Sequence, residues 1–188
     1  MNRVWTLIMA SLLTTLLGLG GCGGSSSGDS QSAGIGGTGK TSSGTITGFG
    51  SIFVNGVQHD VSDSTIVVDD NSGSESDLRI GMVVTIEGTV DGISGIASTV
   101  TYDDVLEGPV DNDIVYTDNL SATFTVLGTT VVVDSSGTVF DSSTPGFGFD
   151  SLAADEVVEI SGYFDAAGAL RATYIAKEGV FAGTAQVE

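Results

Sequence analysis

One histidine, one cysteine and 24 carboxylates make up the reactive inventory of this 188-residue chain. With His59 alone, an imidazole-assisted nucleophile, a general base or a multi-histidine metal site must be built around it or not at all. It stands beside Asp60 in a predicted strand, Val57 to Val61. Two-residue alternation groups it there with Val57 and Val61, as a structural or half-exposed residue. No G-x-S-x-G elbow accompanies it, and Gly48 to Ser51 reads as a strand-to-strand turn. The carboxylates recur in pairs: Asp69-Asp70, Asp103-Asp104, Asp111 with Asp113, and Asp155-Glu156. Paired carboxyl groups serve glycan-cleaving acid–base chemistry, but neighbours along a strand point to opposite faces, so adjacency alone makes no working pair. Asp69 to Asp77 is an oxygen-rich run. A calcium loop wants Gly at its sixth position and Glu at its twelfth, whereas counting from Asp69 puts Gly73 fifth and Ile80 twelfth. The run is expected to be a polar, solvated loop, and no metal or cofactor is assigned.

Gly34-Ile35-Gly36-Gly37-Thr38-Gly39-Lys40-Thr41 fits the phosphate-binding pattern G-x-x-x-x-G-K-T at every position. The pattern works only where a buried strand feeds the loop and a helix starts at the Lys. Ser25 to Ala33 cannot be a core strand, and Thr41-Ser42-Ser43-Gly44 is a poor helix start, so no nucleotide site is expected. Phe147, Phe149, Tyr163 and Phe164 are candidates for contact with a sugar or a partner. The loop Pro145-Gly146-Phe147-Gly148-Phe149 is expected to cap a core.

The elements that must position these groups are strands. Downstream of Gly44 β-branched residues recur in short alternating runs punctuated by Gly, Asn and Asp, with no helical period. In Met82 to Val90, Met82, Val84, Ile86 and Val90 share one face and Val83, Thr85, Glu87 and Thr89 the other. Val157 to Phe164 repeats the pattern in phase, with Val158, Ile160 and Phe164 on one face and Val157, Glu159, Ser161 and Tyr163 opposite. An offset of 74 links Leu78 to Leu152, Val84 to Val158, Ile86 to Ile160, Gly88 to Gly162 and Asp91 to Asp165. With one residue of shift, Ala97 and Val100 match Ala172 and Ile175. Fixed offsets across several residue types argue for an internal duplication. Asn55-Gly56, Asp91-Gly92 and Ala167-Gly168 read as hairpin turns. Each unit is small and must cover one face and hide its edges, which closure into a small barrel achieves, with an open sandwich as the alternative. The expected fold is all-β, with two tandem small antiparallel OB-like barrels at 44–107 and 108–188.

Ahead of them, Arg3 opens an apolar stretch from Val4 to Leu17 that is too short to span a bilayer comfortably. A charged start, a short apolar middle and small residues before a cleavage point make a signal peptide over 1–21. Leu19, Gly20 and Gly21 before Cys22 resemble the lipobox of bacterial lipoproteins. That resemblance implies cleavage before Cys22, a lipid on its thiol and acylation of the new amino terminus. Two or more chains give stable anchoring. Gly23 rather than Asp after the Cys implies the outer membrane. Residues 22–43 hold seven Gly and seven Ser. They predict a disordered tether with a reach of about 25 Å. Four basic and 24 acidic side chains remain after Arg3 is removed. Such a surface repels phosphate backbones, and nucleic acid is excluded as a partner.

Gly48-Phe49-Gly50-Ser51-Ile52-Phe53-Val54-Asn55-Gly56-Val57, followed by Asp77-Leu78, Gly81-Met82-Val83-Val84 and Gly88, resembles the bacterial "domain of unknown function 5666" group. The likeness spans about residues 44–178; the second unit departs from it, with Asp155 and Glu156 in the places of Gly81 and Met82. It implies secreted or lipid-anchored envelope proteins with tandem small β-barrels, and it carries no activity. The expectation is therefore a non-enzymatic, lipid-anchored envelope protein, its folded part in the periplasm or at the cell surface. The membrane is met through the N-terminal lipid, and a protein or glycan partner in the envelope is left open. A carboxylate-based glycan-active enzyme and a calcium-stabilised adhesion module are the alternatives.

Overall fold

The computed structural model describes residues 40–111 and 114–181; the expected leader, Cys22 and the tether up to Gly39 lie outside them. Seven strands build the first repeat: β1 (Lys40–Gly48), β2 (Ile52–Val54), β3 (Val57–Asp60), β4 (Thr65–Val68), β5 (Asn71–Gly73), β6 (Val83–Asp91) and β7 (Ser94–Tyr102). β1 pairs antiparallel with β2 and β6, β2 with β3, and β6 with β7. The ring closes where β3 runs parallel to β7, giving a five-stranded OB-like barrel. Closure removes the open edges a small sheet would otherwise present. β4 runs parallel to β7 farther along the same edge, with β5 beside it. β1 starts four residues ahead of the expected boundary at Gly44, because Thr41, Ser42 and Ser43 pair with Glu87, Ile86 and Thr85.

The second repeat comprises β8 (Leu106–Pro109), β9 (Val115–Tyr116), β10 (Ser121–Val126), β11 (Thr129–Asp134), β12 (Val139–Phe140), β13 (Glu156–Phe164) and β14 (Leu170–Val180). β8 pairs with β13, β13 with β14, β14 in parallel with β11, and β11 with β10. The sheet curls back through a bridge between Val110 and Val126 and the Asp111 N–H on the Thr125 carbonyl at 2.8 Å. The connectivity reproduces that of the first repeat, down to β12 lying parallel to β14 as β4 lies to β7.

The offset of 74 has a geometric cause at Gly88 and Gly162. Each sits at a break of register with the strand that follows, opposite Ala97 and Ala172. A Cβ on Gly88 would lie 2.1 Å from the Ile96 carbonyl oxygen, and one on Gly162 2.2 Å from that of Arg171. Both bulges bend the longest hairpin of their repeat so that its sheet can close. The departure at Asp155 is also local. Gly81 and Asp155 occupy the same turn with φ of 96° and 66°, and Asp is among the few non-glycine residues that tolerate that region.

Ile46, Ile52, Val54, Val84, Ile86 and Val100 form the first core, and Phe124, Val126, Val131, Val158, Ile160 and Ile175 belong to the second. Each such burial contributes roughly 1.5–3 kcal/mol. Tyr174 and Ala176 of β14 belong to the first core, not the second. The outer face of β13–β14 is thus covered by the end of the first barrel where β6 begins and β7 ends. Ser161, read from alternation as outward, is completely buried, and its hydroxyl accepts the Val83 N–H at 2.8 Å. Glu159, placed on the same outward face, is half-buried against Tyr102. Alternation reports which face a residue takes; it does not report that a second barrel covers that face.

At the opposite end of the second barrel, Glu156 and Lys177 stand where the first has Met82 and Tyr102, as the pairings of Val84 with Tyr102 and Val158 with Lys177 show. Their ion pair lies at that end of the second barrel.

Candidate functional site

The groups singled out by type are dispersed and mostly tied into the fold. Leu19, Gly20, Gly21 and Cys22 lie outside the described residues, as do Gly34 to Gly39. Lys40 and Thr41 open a strand, which is the opposite of the helix start that phosphate binding requires. His59 is 1 % exposed, and neither ring nitrogen finds a partner among the described residues. Its ring fills the space over Gly95, where a Cβ would lie 2.7 Å from Nδ1. Burial holds its proton affinity below the ordinary value, so it remains a neutral packing residue.

The carboxylates are structural in the same sense. Asp77 accepts the Ser74 N–H and hydroxyl at 2.9 and 2.7 Å, which holds the short 3₁₀ turn Glu75–Asp77 and lowers its own pKa. Asp69 and Asp70 have φ of 47° and 61° in a turn, and Asp69 accepts the Asp104 N–H at 3.2 Å. Asp111 accepts the Gly128 N–H at 2.7 Å. Among the described residues no three His, Cys, Asp or Glu side chains converge as a metal site. Phe147 and Phe149 pack edge-on against Phe140 and Tyr116, at 5.6 and 5.4 Å between ring centres, and cover the second core as expected. Tyr163 and Phe164 remain exposed, with the Tyr163 hydroxyl 3.2 Å from Thr45 Oγ1.

The seam between the barrels gathers the most perturbed groups. Tyr102 donates its hydroxyl to Glu159. Burial raises the Glu159 pKa from its ordinary 4.5, with Asp69, Glu178 and Asp104 adding to it against the Tyr102 hydrogen bond. Burial first, then Asp69, Glu107 and Asp103, also raise Asp104.

Beside this seam both barrels contribute to a hollow of about 290 Å³. Phe49, Arg79 and Ile80 come from the first repeat and Phe140, Asp141 and Tyr174 from the second. Phe49 sits on the β1–β2 turn, where Gly50 and Ser51 take φ of 100° and 84° and carry its ring outward. It also lines a second hollow of about 530 Å³ with Glu75, Ser76 and Leu78. Phe49 and Ile80 are 40 % and 45 % exposed, an apolar rim on a strongly acidic protein. Arg79 is held by the carbonyls of Ser76 and Leu78, with its Nε 4.0 Å from Asp141. Sequence reasoning missed this site, because its residues lie far apart along the chain. One signal was present: the positions matching Thr99 and Thr101 are Tyr174 and Ala176, less polar than their counterparts.

No curated protein and no solved structure matches the chain. The sequence profile of a family described as "Domain of unknown function (DUF5666)" matches residues 41–101 and again 107–176, one match per barrel. Together they cover more than half of the sequence, and the chain belongs to that family.

Proposed function

We propose that this protein is a non-enzymatic envelope lipoprotein, anchored through Cys22, whose two barrels together form a binding module. The observation that carries the reading is the hollow shared by the barrels, with apolar walls and a few convergent polar groups, the usual composition of a ligand site. The leader pattern ending at Leu19-Gly20-Gly21-Cys22 supports the anchor, and the Gly/Ser tether supports a module held clear of the lipid. The test is a photo-crosslinking amino acid placed at Phe49 in cells. It is expected to capture a defined partner or ligand that the same probe at the exposed Ser98 does not. Equal labelling from both positions would defeat the reading.

The raised pKa values of Glu159 and Asp104 favour a second reading, in which a protonated seam carboxyl acts as the acid of a glycan-cleaving enzyme. Neither residue lines the two hollows. Release of reducing ends from polysaccharide, abolished by Glu159→Gln, would establish it over the first.

A further inference from the structure

Tyr174 is 3 % exposed and packs in the first core, and it also lines the shared hollow. A Tyr buries its ring while keeping its hydroxyl as a polar handle. Asp141 and Arg79 line the shared hollow with it. Its match in the first repeat is Thr99, so the phenol belongs to the junction of the barrels and not to the barrel itself.

We propose that this hollow binds a neutral oligosaccharide, with one sugar ring against Phe49 and Phe140 and its hydroxyls held by Tyr174, Asp141 and Arg79. This rests on the binding-module reading and names its ligand class. An anionic ligand would meet a chain with a formal charge of −19, in a hollow whose one cation already faces a carboxylate. A wholly apolar ligand would strip water from Tyr174, Asp141 and Arg79 without replacing its hydrogen bonds. A polyhydroxylated ring satisfies both conditions, since each hydroxyl donates and accepts while its C–H faces lie on aromatic rings. The hollow holds about ten waters' worth of liquid, room for a sugar ring. Phe49 also lines the second hollow, which offers room for a longer chain.

Isothermal titration of the full chain in detergent micelles with maltotriose, cellotriose and chitotriose tests this, with trigalacturonate and a mixed heptapeptide pool as comparators. At least one neutral trisaccharide should bind saturably. Tyr174→Phe should weaken that binding about tenfold, as loss of one hydrogen bond does. Phe49→Ala, on an exposed turn outside either core, should weaken it as much without altering the melting temperature. Absence of binding by all three sugars, or binding indifferent to both substitutions, overturns the proposal. Binding of the peptides or trigalacturonate that depends on Phe49, with no sugar binding, also overturns it and leaves the binding module standing.

Discussion

The hydroxyl of Tyr102, at the end of the first barrel, donates to the carboxylate of Glu159 on the outer face of the second. Tyr102 is fully buried and Glu159 half-buried, so the contact replaces water for both. Tyr102→Phe leaves the carboxylate without its donor, a change expected to cost about 1–3 kcal/mol. Glu159→Gln keeps an acceptor for the phenol and removes a charge that burial opposes, so it should be neutral or stabilising at pH 7. Denaturant melts of the two variants decide the matter. A Gln variant less stable than the Phe variant would show that the charge itself holds the seam.

The same group sets a pH dependence. Because the folded protein raises the Glu159 pKa above 4.5, it holds that proton more tightly than the unfolded chain does. Stability from this group is fully present below 4.5 and is lost as pH rises through the raised folded value. Asp104 acts in the same direction. Asp60, Asp77, Asp134 and Asp165 act oppositely. Hydrogen bonds from Ser62, Ser74 and Ser136, and from the Ala169 and Ala167 N–H groups, lower their pKa values below 3.8. Their contribution is lost as pH falls beneath that value. Stability should therefore rise as pH falls from neutral toward 4.5 and drop again once pH goes below 3.8, with the acid-side rise flattened in Glu159→Gln. A melting midpoint that climbs steadily from pH 5 to pH 7 would contradict the assignment.

The duplication was legible because closing two equivalent barrels demands the same residues at the same places: Val84 and Val158, Ile86 and Ile160, and a bulge at Gly88 and Gly162. Asn55-Gly56 was legible as a turn for the same reason, with φ of 53° and 76°. The seam was not. Glu159 and Ser161 are polar and fall on the outward face of an alternating strand, which ordinarily means solvent. Their burial depends on Val83 and Tyr102 of the other barrel, and periodicity within one strand carries no trace of that. The hollow was hidden similarly, since Phe49, Arg79, Asp141 and Tyr174 meet only after both barrels have closed.

The proposed anchor gives a prediction independent of the barrels. A thioether-linked lipid on Cys22 would place the chain in the membrane fraction, with cleavage before that residue. Cys22→Ala should leave it as an uncleaved precursor or as soluble protein, with no radiolabelled palmitate incorporated. A variant that fractionates and migrates as the wild type does would remove the lipid from the account.

Leu127 and Asn55 occupy corresponding turn positions, each followed by Gly, and both take positive φ, 47° and 53°. Asn tolerates that region; Leu does not, and its side chain is 63 % exposed, so little packing offsets the strain. Leu127→Asn should stabilise the protein by about 1 kcal/mol. A drop in the urea midpoint would mean that Leu127 contributes more by covering Gly108, against which it lies, than its backbone loses.

Gly88 and Gly162 supply the strictest test of the repeat. At each, a methyl group would enter a carbonyl oxygen of the neighbouring strand, and backbone cannot move aside as a side-chain end can. Gly88→Ala and Gly162→Ala should each destabilise by about 1–3 kcal/mol or more, the range of forced overpacking. Gly179→Ala, in β14 with open space around the added methyl, should stay within about 0.5 kcal/mol. The two bulge variants should also resemble each other more than either resembles Gly179→Ala, because the duplicated hairpin meets one steric demand twice. A tolerated alanine at one bulge and not at the other would mean that the hairpins reach their curvature by different routes, and that the match at these glycines is not a shared geometry.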